Sequence, residues 1–137
     1  AERVRYIGID TPEIAHQPSE TDEPWGPEAT DVNEDLVRDR LVLLERDVSD
    51  TDRYDRLLRY VWVETEGGWV MVNGELVARG LAEVHAYEPD TRHHDWFSQL
   101  RQEAIDGGEG MYGDRPEAED DAAENLLESI LDLIGWD

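Results

Sequence analysis

The chain of 137 residues sets 35 Asp and Glu against 12 Arg and no Lys, a formal charge of −23. No other feature constrains its folding as strongly, because self-repulsion on this scale destabilises a compact state at low ionic strength. Yet 39% of the residues are apolar, 5 Trp and 5 Tyr among them, which is too many for a disordered acidic chain. Salt reconciles the two. At molar ionic strength the Debye length is about 3 Å and like-charge repulsion nearly vanishes. The composition therefore reads as that of a protein from a salt-saturated environment. There, net charge no longer vetoes phosphate binding, and local Arg placement decides it. The absence of Cys excludes disulfides, a thiol nucleophile and Cys-ligated zinc. No apolar run approaches the ~20 residues of a membrane span, so no membrane partner is expected. The opening residues, Ala1 to Arg5, carry neither an initiator Met nor a signal-peptide pattern. They read as a strand already under way in a processed or truncated chain, secreted or cell-surface if an upstream signal was removed.

Residues 2–9 alternate, with Val4 and Tyr6 opposite Arg3, Arg5, Ile7 and Ile9, which predicts a strand. Asp10-Thr11-Pro12-Glu13 ends it in a turn, since Pro12 fixes its own φ and pushes Thr11 out of the helical region. Residues 14–25 read as an exposed loop. Pro27 at a first helical position and Glu28 in the first turn open a helix whose apolar stripe is Ala29, Val32, Leu36 and Val37. Strands are predicted at 41–45 and 57–64, and Glu66-Gly67-Gly68 reads as a hairpin turn into Trp69-Val70-Met71. Asn73 is expected to cap a short helix stopped by Gly80. Residues 81–87 read as extended. Thr91 is expected to cap a longer helix with Trp96, Phe97, Leu100 and Ala104 inward, ending at Gly107-Gly108. The expected organisation is one domain over 1–113 and an appendage over 114–137. The appendage is an acidic linker leading to an amphipathic helix carrying Leu126, Leu127, Ile130, Leu133 and Ile134. That helix is expected to pack on the domain or on a partner, and the protein to be a monomer.

Three segments carry chemistry: Arg5 with Asp10 to Glu13, then Asp52 to Arg56, then His85 to Tyr87. Hydrolysis of a phosphodiester needs cations on the non-bridging oxygens, more so as charge builds in the transition state. Arg suits this because its planar fork meets two oxygens and keeps its proton. A hard cation needs carboxylate and carbonyl oxygens, and the attacking water needs a carboxylate base. Asp10 and Glu13 on a Pro-fixed turn can supply ligand and base. Arg5 lies an odd number of residues before Asp10, so a flat strand would point them apart, and the strand must curl or bulge to bring them together. Adjacent His93 and His94 point apart on a helix and lack a third ligand, so they are not read as a metal pair.

Arg-Tyr-Ile-Gly-Ile-Asp-Thr-Pro-Glu at 5–13 and Tyr-Asp-Arg-Leu-Leu-Arg-Tyr-Val at 54–61 resemble the signature of the thermonuclease (staphylococcal nuclease-like) family. Trp-Gly-Pro-Glu-Ala at 25–29, Val-Asn-Gly-Glu-Leu-Val-Ala-Arg-Gly-Leu-Ala at 72–82 and Gly-Met-Tyr at 110–112 follow in the family's order. The resemblance covers roughly residues 2–113. It implies an α+β fold, a five-stranded OB-fold β-barrel with three helices, and calcium-dependent cleavage of DNA and RNA. It further implies Asp10 as a Ca²⁺ ligand through its carboxylate and Thr11 through its carbonyl, Glu13 as general base, and Arg5 and Arg56 as the groups that stabilise the phosphorane. Arg53, Tyr54, His85 and Tyr87 fall on or near substrate-binding positions. The family also carries Asp-Gly-Asp-Thr on an earlier strand, its second Asp a further calcium ligand. The expectation is thus a fragment lacking the first two barrel strands. A nuclease-like OB module that binds single-stranded nucleic acid or protein without cutting is the alternative.

Dialysis from molar KCl into dilute buffer should unfold the protein cooperatively, followed by circular dichroism, and the thermal midpoint should rise with salt. A midpoint indifferent to salt would contradict the salt-adapted reading.

Overall fold

The computed structural model describes residues 2–12 and 23–113. Glu13, the loop that follows it and the expected C-terminal helix lie outside the described residues. Strand β4 (Leu57–Thr65), rich in the β-branched and aromatic residues that favour a pleated surface, is the spine of the fold. One side of β4 pairs antiparallel with β3 (Val42–Glu45), Leu43 opposite Trp62. The other side is shared. It pairs first with β1 (Val4–Tyr6) in parallel, Arg5 opposite Leu58, and then with β5 (Gly68–Met71) antiparallel, Val63 opposite Val70. A separate antiparallel pair joins β2 (Ile9–Asp10) to β6 (Glu83–Val84). Helices α1 (Gly26–Val37), α2 (Val72–Ala78) and α3 (His94–Asp106) complete the unit. Three helices were expected and three are described. Among the described residues, however, neither sheet closes into a barrel.

The continuous strand expected over 2–9 is broken. Ile7-Gly8 forms a turn with Gly8 at φ 82°, a conformation that favours glycine. A Cβ there would also stand 2.9 Å from Phe97 Cε2. The break turns both Ile7 and Ile9 into the core, where they are 3% and 0% exposed. Such a break should leave ladder groups without partners. Ile7 N–H still donates to the Arg59 carbonyl at 3.0 Å, and the next rung of a parallel ladder would run from Val61 N–H to the Ile7 carbonyl. The side-chain amide of Asn73 stands in that rung. Its Oδ1 accepts from Val61 N–H and its Nδ2 donates to the Ile7 carbonyl, both at 2.9 Å. Asn73 is fully buried and so is not the helix cap expected from its sequence context. Met71 takes the N-cap position of α2, with no side-chain cap bond. Thr91 does not cap α3 either. His93 holds that position, and Thr91 bonds through its backbone, accepting from His94 N–H and donating to the Pro89 carbonyl.

The core lies between β4 and the helices, with Tyr60, Val63, Val72, Leu76 and Phe97 all at 1% exposure or less. Each such side chain contributes about 1.5–3 kcal/mol on removal from water. Trp96, expected inward, is 41% exposed, while Phe97 and Ala104 take the buried face of α3. The residues expected as the stripe of α1 do pack inward, Ala29 fully and Val32, Leu36 and Val37 partly. Residues 81–87 are strand only at Glu83–Val84. Polar ties fasten β3 to the start of α3. Glu45 accepts from Trp62 Nε1 and Arg92 Nη1, and His93 Nε2 lies 3.2 Å from it. Burial by itself would raise the Glu45 carboxyl, but these hydrogen bonds outweigh it and hold the group below the usual carboxylate value. Tyr60 donates to Asp47 at 2.8 Å, and burial, then that carboxylate, push its hydroxyl well above the ordinary tyrosine value. Elsewhere β3 is bare. Leu41, Leu43 and Leu44 are 69%, 51% and 40% exposed, and the strand's outer edge has no partner among the described residues.

Replacing Asn73 by Ala would orphan two buried backbone groups at once, each costing about 1–3 kcal/mol. Urea titration should show a loss of about 3 kcal/mol. A loss below about 1 kcal/mol would mean that water or backbone movement replaces the amide.

Candidate active site

Register decides whether the two candidate arginines meet. Val4 pairs with Leu57 and Arg5 with Leu58, and Leu57 N–H donates to the Arg3 carbonyl at 2.8 Å. Extending that register by one residue sets Arg56 beside Arg3, two positions from Arg5. Positions two apart share a face, so Arg5 and Arg56 project to the same side. Both line one cavity of about 480 Å³, together with Asp52, Arg53, Tyr54 and Tyr87.

Each arginine is held by a different device. Arg5 Nη1 donates to the carbonyls of Tyr6 at 3.0 Å and Ile9 at 2.9 Å, so its guanidinium is anchored across the strand break. Its Cζ lies 6.0 Å from the centroid of the Tyr87 ring, within cation–π range. Arg56 is held by Asp52, whose Oδ2 accepts from Arg56 Nε at 2.6 Å. The other oxygen of Asp52 accepts from the backbone N–H groups of Tyr54 at 2.8 Å and Arg56 at 2.9 Å. Asp52 thus builds the turn and aims the arginine that ends it. Desolvation works against its carboxylate, but the bonds to Arg56 and Tyr54 prevail and hold it below the ordinary aspartate value. Asp55 completes the turn with φ 66°. The Tyr54 ring lies under two cations, with the Cζ atoms of Arg53 and Arg56 at 5.0 and 5.5 Å from its centroid.

Of the residues that the sequence singles out, Arg5, Arg53, Tyr54, Arg56 and Tyr87 come together in this cavity. Asp10 and Thr11 do not line it. They open onto a depression beside Pro12 and Glu83, and Thr11 also shares a neighbouring recess with Arg5. The strand does break between Arg5 and Asp10, at Gly8, but Asp10 and Arg5 line different recesses. His85 also lies outside the cavity, on the groove between β6 and α3, but its ring stacks on Tyr87 at 5.6 Å between centroids. Glu13 lies outside the described residues. Sequence reasoning named Asp52 within its segment without its positioning role, and it missed Asp90. Asp52 carried a signal, an acid at the head of a turn four residues before Arg56. Asp90 carried none. It is buried, and its Oδ1 accepts from the backbone N–H groups of Val48 and Ser49, pinning the cavity's rim to the segment after Tyr87.

A calcium ion takes six to eight oxygens, with carboxylates supplying the charge. Asp10 and the Thr11 carbonyl are donors of the right kind. No cluster of three His, Asp or Glu side chains able to hold a metal stands among the described residues. The described residues therefore do not make a calcium site by themselves.

A family model described as Staphylococcal nuclease homologue matches residues 3–114. The thermonuclease of Staphylococcus hyicus is 35% identical over 103 residues, covering 75% of this chain and 58% of that protein. The SPbeta prophage-derived endonuclease YokF of Bacillus subtilis is 41% identical over 103 residues, covering 74% of this chain and 33% of the relative. Endonuclease YncB of the same organism is 40% identical over the same length, covering 74% of this chain and 46% of the relative. The chain belongs to the staphylococcal nuclease homologue family. It spans about a third to three-fifths of the length of these relatives.

The Asp52 carboxylate is favoured in the fold, so the stability it contributes is present above the ordinary aspartate value. That stability is lost as pH falls through the depressed value. Asp52→Asn should therefore cost about 1 kcal/mol at neutral pH, after allowance for solvent screening. The gap from wild type should narrow as pH falls below the ordinary aspartate value, read from paired urea titrations. A gap constant with pH would mean that the charge of Asp52 is irrelevant to the turn.

Proposed function

We propose that this chain is the catalytic part of a calcium-dependent endonuclease that hydrolyses phosphodiester bonds of DNA and RNA. The observation that carries this reading is the placement of Arg5 and Arg56 on one face, in one cavity with Tyr54 and Tyr87. The endonuclease names of the relatives point the same way. A diester anion entering the cavity meets two guanidiniums that are already oriented, so little reorganisation is needed as charge builds on the phosphorus oxygens. Arg56 spends Nε on Asp52, and its two terminal nitrogens have no partner among the described residues. Tyr54 and Tyr87 supply rings on which the adjoining bases stack. Glu13 is the carboxylate assigned to take the proton of the attacking water.

Calcium, when bound, would add charge neutralisation at the phosphate, with Asp10 and Thr11 among its ligands. On this reading a second carboxylate would come from further strands that close an OB barrel. The open outer edges of β1 and β3 and the bare leucines of β3 support that completion, since exposed apolar edges are normally covered. The alternative, a module that binds without cutting, rests on the single carboxylate donor described here. Retention of Arg5, Glu13 and Arg56, which a pure binder does not need, weighs against it.

Residues 1–137 alone should bind Ca²⁺ weakly, at about millimolar by calorimetry, and cut plasmid DNA little. The protein extended upstream should do both well, with Ca²⁺ affinity depending on Asp10. In the extended protein Arg5→Lys and Arg56→Lys should each lower kcat by roughly 10²-fold. Glu13→Gln should cut turnover while sparing DNA binding. An extended protein that binds DNA and never cuts it would establish the alternative, and equal activity of the two lengths would refute this account of the metal site.

A further inference from the structure

The cavity has a continuation. Tyr87, beside Arg5, stacks on His85 with 30° between the ring planes. His85 in turn faces the groove between β6 and α3, lined also by Glu83, His94, Ser98, Arg101 and Gln102. Its backbone N–H donates to the Gly8 carbonyl at 2.9 Å. This end of the groove is therefore fixed to the same break that anchors Arg5. A guanidinium, a phenol ring and an imidazole thus lead in a row from the phosphate-binding cavity into the groove.

The groove's chemistry is polar and nearly neutral. Arg101 donates to Glu83 at 3.2 Å and lies against the Tyr112 ring, while the Tyr112 hydroxyl donates to the same carboxylate. A phosphate would meet Glu83 and find the cation already paired. Two imidazoles, a hydroxyl and an amide remain, which suit the edges and faces of bases and the hydroxyls of sugars. His94 adds a pointer of its own. Its Nδ1 is buried and has no hydrogen-bond partner among the described residues, and an orphaned buried nitrogen calls for an explanation. A half-turn of the ring exchanges Nδ1 with Cδ2 without moving the backbone, so a ligand in the groove can satisfy it.

We propose that the groove between β6 and α3 is a second nucleic-acid subsite, holding through stacking and hydrogen bonds the one or two nucleosides that flank the scissile phosphodiester. The proposal rests on the nuclease reading of the cavity and extends it by a path for the strand. Because the subsite takes bases and sugars, its contribution resists salt, unlike phosphate contacts. That fits the high-salt environment expected from the composition.

The test compares fluorescein-labelled oligothymidylates of two and eight nucleotides by fluorescence anisotropy, using the full-length protein in molar KCl with EDTA so that nothing is cut. The octamer should bind about tenfold tighter than the dimer, beyond the statistical gain from its extra registers. His94→Ala, and separately Ser98→Glu at an exposed helix position, should remove that advantage and leave dimer binding unchanged. An advantage absent in wild type, or intact in both variants, overturns the subsite. Arg5→Ala tests the underlying reading separately. Loss of dimer binding supports it, and retention of dimer binding refutes it whatever the octamer does.

Discussion

The Arg5 half of the candidate site depends on one side-chain amide standing in for a backbone peptide. β4 gives the same edge first to β1 and then to β5, and the change of partner falls where Asn73 sits. Without a group that both accepts from Val61 and donates to Ile7, β1 would have to continue along β4 or leave two buried polar groups unmet. A carboxamide does both with its two ends, whereas an ionised aspartate or a leucine does not. Once the ladder is relieved there, the chain can turn at Gly8, send Ile9 into the core and bring its carbonyl beneath Arg5. The anchoring of Arg5 is thus a consequence of how the sheet changes partners.

Much of the fold was legible because local signals agreed with it. Pro27 and the spacing of Ala29, Val32 and Leu36 placed α1 well, and the alternation through 57–64 found β4. The misses share a cause. Asn73 and Thr91 are good capping residues in isolation, but tertiary context claimed Asn73 for the sheet and left Thr91 upstream of the cap of α3. Alternation over 2–9 looked continuous because Gly8 carries no side chain to break the pattern. Its role shows only against Phe97, far along the chain. At the site, residue types were readable and convergence was not. Arg5 and Arg56 lie 51 positions apart, and their shared face follows from a parallel register that no spacing reveals.

The acid excess shapes how guanidiniums are used. Most of the described arginines are drawn into pairs, as with Arg59 on Asp50, Arg79 on Glu75 and Arg92 on Glu45. Arg5 and Arg53 are exceptions. One is held by carbonyls and the other rests on a tyrosine ring, and neither has a carboxylate partner among the described residues. Holding a cation by dipoles and π-density leaves its charge uncompensated, which is what an anionic ligand needs. Arg56 does pair, but with a carboxylate occupied by two backbone N–H groups as well, which tempers the competition.

The unpaired outer edges of β1 and β3 have a bearing on how the molecule could be divided. Hydrogen bonding along an edge is indifferent to whether the incoming strand is joined to the chain it meets. A hairpin supplied as a separate polypeptide would face the same donors, acceptors and bare leucines as one attached to the front of Arg3. Under the proposed completion of the barrel, the domain would act as one half of a two-piece system whose assembly is triggered by mixing. Catalytic competence would then become a function of the concentration of the second piece.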